Sequence, residues 1–187
     1  LLRLMLYEDA YGFSQLRTYT HIFIFWLAGL ILVTIVLEIV RQRGHFALAL
    51  LVMVVGFGAT LALINVDGFI VERNVARAAT GEELDIEYLS SLTSDAVPQL
   101  LESYNNAELP ADMREKVGAA LACQEKTTNN PASLPWQEFN LSQARAYRLL
   151  QENAAQWSQF QPVWGYGQWL IQLDGEEIYC NPSIGFD

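Results

Sequence analysis

Eight polar residues that flank two long apolar runs carry the side chains from which chemistry could be built. Carboxylates and a histidine can transfer protons, and arginine guanidinium groups can bind anions. The set consists of Arg17, His21, Asn65, Asp67, Glu72, Arg73, Asn74 and Arg77. The chain contains no GxSxG, HExxH, P-loop or dinucleotide-binding glycine pattern. The residue types therefore suggest acid-base or anion-binding chemistry without indicating a particular reaction.

Two apolar runs, residues 21–40 and 46–66, must position this polar set. At about 1.5 Å per residue, each run is long enough as a helix to cross a hydrocarbon core of about 30 Å. The short link RQRGH makes the two helices antiparallel neighbours. The start of the first helix and the end of the second then lie on one face of the membrane. Glu8 and Asp9 join the eight residues on that face.

Two interpretations of the polar set stay open. Ionisable residues at a membrane are by default candidates for function. The simpler interpretation is that they form interfacial ion pairs, which fix the depth of the two helices. The single histidine of the set, His21, fits a hydrogen-bonded interface residue better than a metal ligand.

Charge divides the chain into two parts. Residues 67–187 contain 18 acidic and 7 basic residues, whereas residues 1–66 contain 3 acidic and 4 basic residues. An acidic surface repels phosphate backbones and anionic headgroups, so we expect this part of the chain neither to bind nucleic acid nor to spread on the membrane surface. The partners that we expect are the lipid bilayer, further transmembrane helices, and proteins that bind the acidic part.

The two cysteines, Cys123 and Cys180, are far from any metal-binding spacing, so we expect no metal site and no cofactor. In an oxidising compartment the two cysteines could form one disulfide that ties the C-terminal region to an internal helix. In the cytosol they would remain semi-buried thiols. The sequence alone does not decide between these states.

The predicted fold class is mainly α. It comprises a transmembrane helical hairpin followed by an α-rich extramembrane domain with a small C-terminal β-hairpin. The membrane region covers residues 1–79 and ends in an interfacial helix at about 68–79, which follows a helix break at Asp67-Gly68. The acidic extramembrane domain covers residues 80–187. Near its end, QWLIQL and EEIYC flank Asp174-Gly175, a two-residue hairpin turn signal.

Basic residues give conflicting signals about the side of the membrane. Two arginines lie in the short link and four lie at the opposite ends of the helices, and this raw count would place the acidic domain inside the cell. The cysteine pair and the lysine-poor, tryptophan-rich C-terminal region suit the exterior, which is the location that we predict in a multi-pass protein of the cell membrane. We also expect Glu38 to pair with Arg41, three residues further along the first helix.

Four segments occur in order along the chain: LYEDAYGFSQLRTYTHIFIFWL, NVDGFIVERNVAR, LDIEYLSSLTSDAVPQLLE and WQEFNLSQARA. Together they resemble the successive motifs of a bacterial family of multi-pass membrane proteins classed as a domain of unknown function. The resemblance extends from Leu6 to about Leu150. It implies that the chain is the C-terminal portion of a longer protein and that several transmembrane helices precede Leu1. It brings no established activity.

Two functions remain open. We predict a non-enzymatic integral membrane protein that acts as a scaffold, a sensor or a component of an envelope process. The alternative is a membrane-embedded enzyme or transporter, whose polar site at the membrane interface is completed by upstream helices.

Overall fold

The structure, a computed structural model, describes residues 13–173 and 175–180. Over these residues the chain is mainly helical with a small antiparallel sheet near its end, which confirms the predicted fold class. The helices are α1 (Gln15–Ile39), α2 (Phe46–Leu63), α3 (Val66–Ala78), α4 (Ile86–Ser91), α5 (Val97–Asn105), α6 (Ala111–Thr127) and α7 (Leu141–Asn153). The strands are β1 (Val163–Gly165), β2 (Gln168–Leu173) and β3 (Glu176–Tyr179). Short 3-10 turns occur at Arg43–His45, Ser94–Ala96, Pro131–Ser133, Trp136–Glu138 and Ala154–Trp157.

The chain divides into two compact units, residues 1–66 and 67–187. This division falls earlier than the predicted boundary after residue 79, because α3 is grouped with the second unit. Protein atoms cover Ile70 and Val71 of α3 completely. The apolar side of this helix, which we expected to face the membrane interface, is therefore inside the protein.

From residue 13 onward, the first unit contains two helices that are long and apolar enough to cross a membrane. Helix α1 has 25 residues, and the helical stretch Arg43–Leu63, which includes α2, has 21. At 1.5 Å per residue α1 is about 37 Å long. Helix α1 begins six residues before the predicted start at residue 21, and α2 ends at Leu63 rather than at residue 66.

The turn between α1 and α2 is a Schellman motif with an arginine in its left-handed position. The Gln42 N–H donates to the Leu37 carbonyl at 2.9 Å, and the Arg41 N–H donates to the Glu38 carbonyl at 3.1 Å. Arg41 has a φ of 59°, a conformation that glycine usually supplies. The Glu38 carboxylate accepts hydrogen bonds from Arg43, not from Arg41. The predicted pairing is wrong because the left-handed residue turns the chain off the helical path.

The two helices of the first unit pack through a small residue. The ring of Trp26 on α1 covers Gly56 on α2 so closely that a Cβ at this position would overlap it. Phe23 and Phe57 add an edge-to-face ring contact, with centroids 6.1 Å apart. Gly58 has no atom within 4 Å of its Cβ position, so it faces away from α1. Gly56 therefore lies on the packed side of α2, and Gly58 on its open side.

Helix α6 is the centre of the second unit. Every residue from 117 to 124 is buried, and most of them are small, so neighbouring elements approach the helix from all sides. Helices α4, α5 and α7 and strand β2 all pack against it. At Gly118 the rings of Phe160 and Tyr104 lie only 2.6 and 2.9 Å from where a Cβ would stand.

A buried glutamine joins α6 to the end of α4. The Gln124 side chain is 3% exposed. Its Nε2 donates to the carbonyls of Ser90 at 3.0 Å and Leu92 at 2.7 Å. The last carbonyls of a helix have no intrahelical partner. The glutamine bonds two of them, which would otherwise be buried without a hydrogen bond.

The sheet has the order β1-β2-β3, with antiparallel neighbours. The predicted hairpin of β2 and β3 is present, and β1 adds a third strand. Gly175 in the β2–β3 turn has a φ of 88°, whereas Asp174 lies outside the described residues. The β1–β2 turn consists of Tyr166 and Gly167, both with positive φ, of 53° and 83°. A left-handed conformation at a non-glycine residue costs roughly 1–2 kcal/mol.

We predict that Gly56→Val weakens the packing of α1 on α2. The added side chain must displace the Trp26 ring, and overpacking of this kind costs about 1–3 kcal/mol. The matched control is Gly58→Val, which lies on the same helix and meets no atom. Thermal unfolding of the full chain in detergent should show a lower midpoint for Gly56→Val only. Equal midpoints for the two variants would contradict the observed packing.

Candidate functional site

The predicted polar set is divided between the two units. Arg17, His21 and Asn65 belong to the first unit, where Arg17 and His21 are half-buried and Asn65 is exposed. The other five residues lie on α3 in the second unit. The meeting of the two groups on one membrane face stays a prediction. Glu8 and Asp9, which we expected on that face, lie outside the described residues.

Asp67 is a buried carboxylate at the start of α3. The residue is only 3% exposed. One carboxylate oxygen, Oδ2, accepts hydrogen bonds from the backbone N–H of Thr93 at 2.9 Å and from the Thr93 hydroxyl at 2.5 Å. The predicted helix break at Asp67-Gly68 is wrong, since α2 ends at Leu63 and both residues lie in the first turn of α3. Asp67 thus ties this turn to the segment that precedes α5.

The remaining charged residues of α3 lie at or near the surface. Glu72 and Arg73 are exposed, whereas Asn74 and Arg77 are half-buried. The Arg73 guanidinium lies 5.2 Å from the centre of the Phe69 ring. Arg77 Nη1 is 3.5 Å from a Glu82 carboxylate oxygen. An ion pair of this kind at a surface contributes only about 0–1 kcal/mol, so its role is local.

A groove of about 720 Å³ opens between α3, α5 and the loop that joins α5 to α6. Its lining consists of Glu72, Val75, Ala76, Ala79, Gln99, Glu102, Ser103, Asn105, Asn106, Glu108, Leu109 and Pro110. Glu72, Val75 and Ala76, at i, i+3 and i+4, lie on one face of α3, and Ala79 follows directly after the helix. The lining therefore combines an apolar floor from α3 with polar groups from α5 and the loop.

The groove is negatively charged. Three of its lining residues are glutamates, Glu72, Glu102 and Glu108, and among the described residues that line it there is no lysine or arginine. Arg114, in the first turn of α6, is bonded to the backbone of the loop. Arg114 Nη2 donates to the backbone carbonyls of Asn106 at 2.9 Å and Leu109 at 3.2 Å. Arg114 thereby holds the loop in shape without neutralising the carboxylates.

Ser103 supplies a hydroxyl to the lining of the groove. The residue is 8% exposed. Within the described part of the chain its hydroxyl makes no hydrogen bond. The hydroxyl is thus available to a bound group. The sequence places Gln99 and Ser103 on one face of α5, but only the fold brings Glu72 into the same groove.

A second groove, of about 490 Å³, lies between the end of α6 and residues 154–162. Its charged groups already have partners in the protein. Glu125 Oε2 accepts from the Trp157 indole N–H at 2.9 Å, and Glu125 Oε1 is 3.8 Å from the Lys126 amine. This groove therefore offers less unsatisfied charge than the first. Within the described ranges, no group of three or more His, Cys, Asp or Glu residues is arranged to hold a metal ion.

The structure joins Cys123 and Cys180 in a disulfide, with Cα atoms 5.0 Å apart and a sequence separation of 57. Both residues are buried. The bond attaches the end of the sheet to α6. Beside it, the Tyr179 N–H donates to the Glu87 carboxylate at 3.2 Å, and the Tyr179 carbonyl accepts from the Ser90 hydroxyl at 3.2 Å. The C-terminal sheet is thus fixed to two helices.

Comparison with known proteins gives one family. The sequence model described as a domain of unknown function (DUF4153) matches residues 1–103. The match confirms the expected family resemblance but ends before Leu150, the limit that we expected. It covers α1 to α4 and α5 as far as Ser103. No curated protein and no solved structure matches the chain.

We predict that Asp67→Ala destabilises the second unit by about 1–3 kcal/mol, because the Thr93 N–H and hydroxyl both lose their hydrogen bond to a charged acceptor. Glu72→Ala on the same helix is the control, since a change at an exposed residue usually stays within about 0.5 kcal/mol. Four of the five tryptophans lie in the second unit, so tryptophan fluorescence of the full chain in detergent can follow its unfolding. An unchanged midpoint for Asp67→Ala would rule out this role.

We also predict that the disulfide stabilises the second unit by roughly 2–4 kcal/mol, since it restricts the unfolded chain. Reducing agent should lower the unfolding midpoint of the natural chain. The double variant Cys123→Ser, Cys180→Ser should start at that lower midpoint and be insensitive to the reductant. If reduction leaves the natural chain unchanged, the bond does not contribute to stability.

Proposed function

Since this chain belongs to the family described as a domain of unknown function (DUF4153), we propose a function from its own residues: it is a membrane-anchored, non-enzymatic scaffold. Helices α1 and α2 are the membrane anchor. The acidic second unit binds a basic segment of another protein in the groove between α3 and α5. The groove is the observation that carries this proposal.

The anchor is supported by the exposed apolar surface of α1 and α2. In the most apolar stretch of each helix, no residue is buried within the protein. Among the large hydrophobic side chains, Phe25 is 77% exposed, Leu51 59% and Leu63 85%. Soluble proteins rarely leave such a large continuous apolar surface in water. Lipid is the environment that would cover it, and the Glu38 and Arg43 pair at the end of α1 would then lie at the polar boundary.

The binding role is supported by the chemistry of the groove. A lysine or arginine side chain has an apolar stem and a charged head. The apolar floor formed by Val75, Ala76 and Ala79 suits the stem, and the carboxylates of Glu102 and Glu108 suit the head. The wider acidic surface of residues 67–187 would also attract a basic partner and raise its rate of association.

The disulfide supports a location outside the cytoplasm for the second unit. Disulfides persist in oxidising compartments and are rare in the cytosol. This placement also leaves the arginines of the short α1–α2 link on the cytoplasmic side, where the positive-inside tendency favours them. We therefore propose a bacterial cell-membrane protein of multi-pass topology, whose acidic unit faces the envelope.

We predict that a photo-crosslinking amino acid at position 102, in the groove, captures a partner in cells that make the full chain. The same amino acid at position 152, on the exposed side of α7, should not. The captured peptide should be rich in lysine and arginine, because the groove carries only negative charge. The adduct at position 102 should disappear in the background Glu72→Lys, Glu108→Lys.

A matched charge change elsewhere separates the groove from general electrostatics. Glu152→Lys, Glu176→Lys alters the net charge by the same amount, and the adduct at position 102 should remain in this background. An adduct that survives Glu72→Lys, Glu108→Lys, or a captured peptide without basic residues, would contradict the proposed role of the groove.

A further inference from the structure

The turn between β1 and β2 presents large aromatic side chains to the exterior of the second unit. Tyr166 is 88% exposed and Trp164 is 59% exposed. Trp164 lies directly opposite Trp169 in the β1–β2 pair, and the two rings make an edge-to-face contact with centroids 5.3 Å apart. Here Trp164, Tyr166 and Trp169 are called the aromatic tip. The tip is a contiguous apolar feature of a kind that often marks an interaction site.

The backbone at the tip is under strain. Tyr166 and Gly167 have φ values of 53° and 83°, which is the pattern of a type I′ hairpin turn. Asparagine, aspartate or glycine normally fills the first of these positions. A tyrosine there adopts an unfavourable conformation, and its side chain gains little burial within the described chain in return. Backbone strain that is not offset by packing within the protein is often found at functional positions.

The tip also differs in charge from the rest of the second unit. Residues 67–187 contain 18 acidic residues, yet residues 154–173 contain no acidic or basic residue at all. The acidic side chains of the sheet itself, such as Glu176, which pairs with Leu173, lie at the other end of β2, although Glu87 of α4 accepts a hydrogen bond from the Tyr179 N–H opposite Leu170. That strand of six residues is about 17 Å long between its ends. The tip can therefore approach a surface that repels the acidic remainder.

We infer that the aromatic tip inserts into the headgroup region of the bilayer. Tryptophan and tyrosine are enriched at this depth in membrane proteins, because their rings combine an apolar body with a polar group. This inference rests on the proposed anchoring of the chain by α1 and α2. It makes the sheet a second, peripheral membrane contact in addition to the two helices.

The second unit is covalently linked to the proposed membrane anchor, so the bilayer is always within reach of the aromatic tip. Helix α2 ends at Leu63 and the second unit begins at Asp67, so only three residues separate this unit from the anchor. A compact unit of 121 residues has a radius of gyration of about 14 Å. All of its surface therefore stays within roughly 40 Å of the membrane, where a tethered contact benefits from a high effective concentration. A soluble partner would have no such advantage.

The experiment places an environment-sensitive fluorophore at the tip of the full chain, reconstituted in phosphatidylcholine liposomes. The variant Tyr166→Cys can be labelled selectively because the two native cysteines form the disulfide. The variant Gln168→Cys tests the same tip with Tyr166 retained. Reference labels are Leu51→Cys in α2, expected within the bilayer, and Glu152→Cys in α7, expected in water. Quenching is measured with doxyl-labelled lipids and with aqueous iodide.

Labels at positions 166 and 168 should be quenched by lipids that carry the doxyl group near the headgroup, and iodide should quench them several-fold less than the label at 152. If they respond to iodide as the label at 152 does, while the label at 51 is quenched by lipid, the tip inference fails and the anchor stands. If the label at 51 is also accessible to iodide, the anchor itself fails. Protection of the tip from both quenchers would mean that a protein covers it, which would equally overturn this inference.

Discussion

The second unit depends on the close packing of its other helices and its sheet around α6. Between residues 117 and 124 this helix has no solvent-facing side, and its small side chains allow helices α4, α5 and α7 and strand β2 to pack around one axis. Gly118 shows the limit of this arrangement, because Tyr104 and Phe160 occupy the space that a methyl group would need. A polar group on such a buried helix costs free energy unless it is hydrogen-bonded. Gln124 meets this condition because its side chain donates to two carbonyls at the end of α4.

This central packing leaves function to the periphery of the unit. Side chains fill the space around residues 117–124 of α6, and the second groove reaches only the end of this helix. The acidic groove lies between α3 and α5. The aromatic tip lies on the edge strand β1 and its turn. The two features differ in chemistry, since one concentrates carboxylates over an apolar floor and the other lies in a segment without charge.

Local patterns in the sequence predicted the elements well, and long-range pairings poorly. The two apolar helices and the hairpin at Gly175 depend on composition and turn residues within a short window, so both could be recognised. The partner of Glu38 could not, because the left-handed conformation of Arg41 changes the direction of the chain. The state of the cysteines also depends on a distance between residues 57 positions apart, which no local pattern contains.

Helix α3 shows why an apolar stripe alone is ambiguous. The sequence of residues 66–78 fits a helix lying in a membrane interface, and Ile70 and Val71 fit lipid as well as they fit a protein interior. Only the fold shows that protein covers them. The same ambiguity affected Asp67, whose pairing with glycine suggests a helix break, although its carboxylate in fact binds Thr93 inside the unit. A carboxylate that looked available for chemistry is thus committed to structure, whereas Glu102 and Glu108, which form no recognisable motif, line the groove.

Helix α3 also connects the two parts of the proposed function. It begins two residues after α2, and its 13 residues form a rod of about 20 Å. One end of this rod is held by the bond from Thr93 to Asp67, and the side chains of Glu72, Val75 and Ala76 further along form one wall of the groove. The carboxylate that binds Thr93 and the wall of the groove thus belong to one continuous helix. The buried Asp67 therefore matters to the groove even though it does not line it.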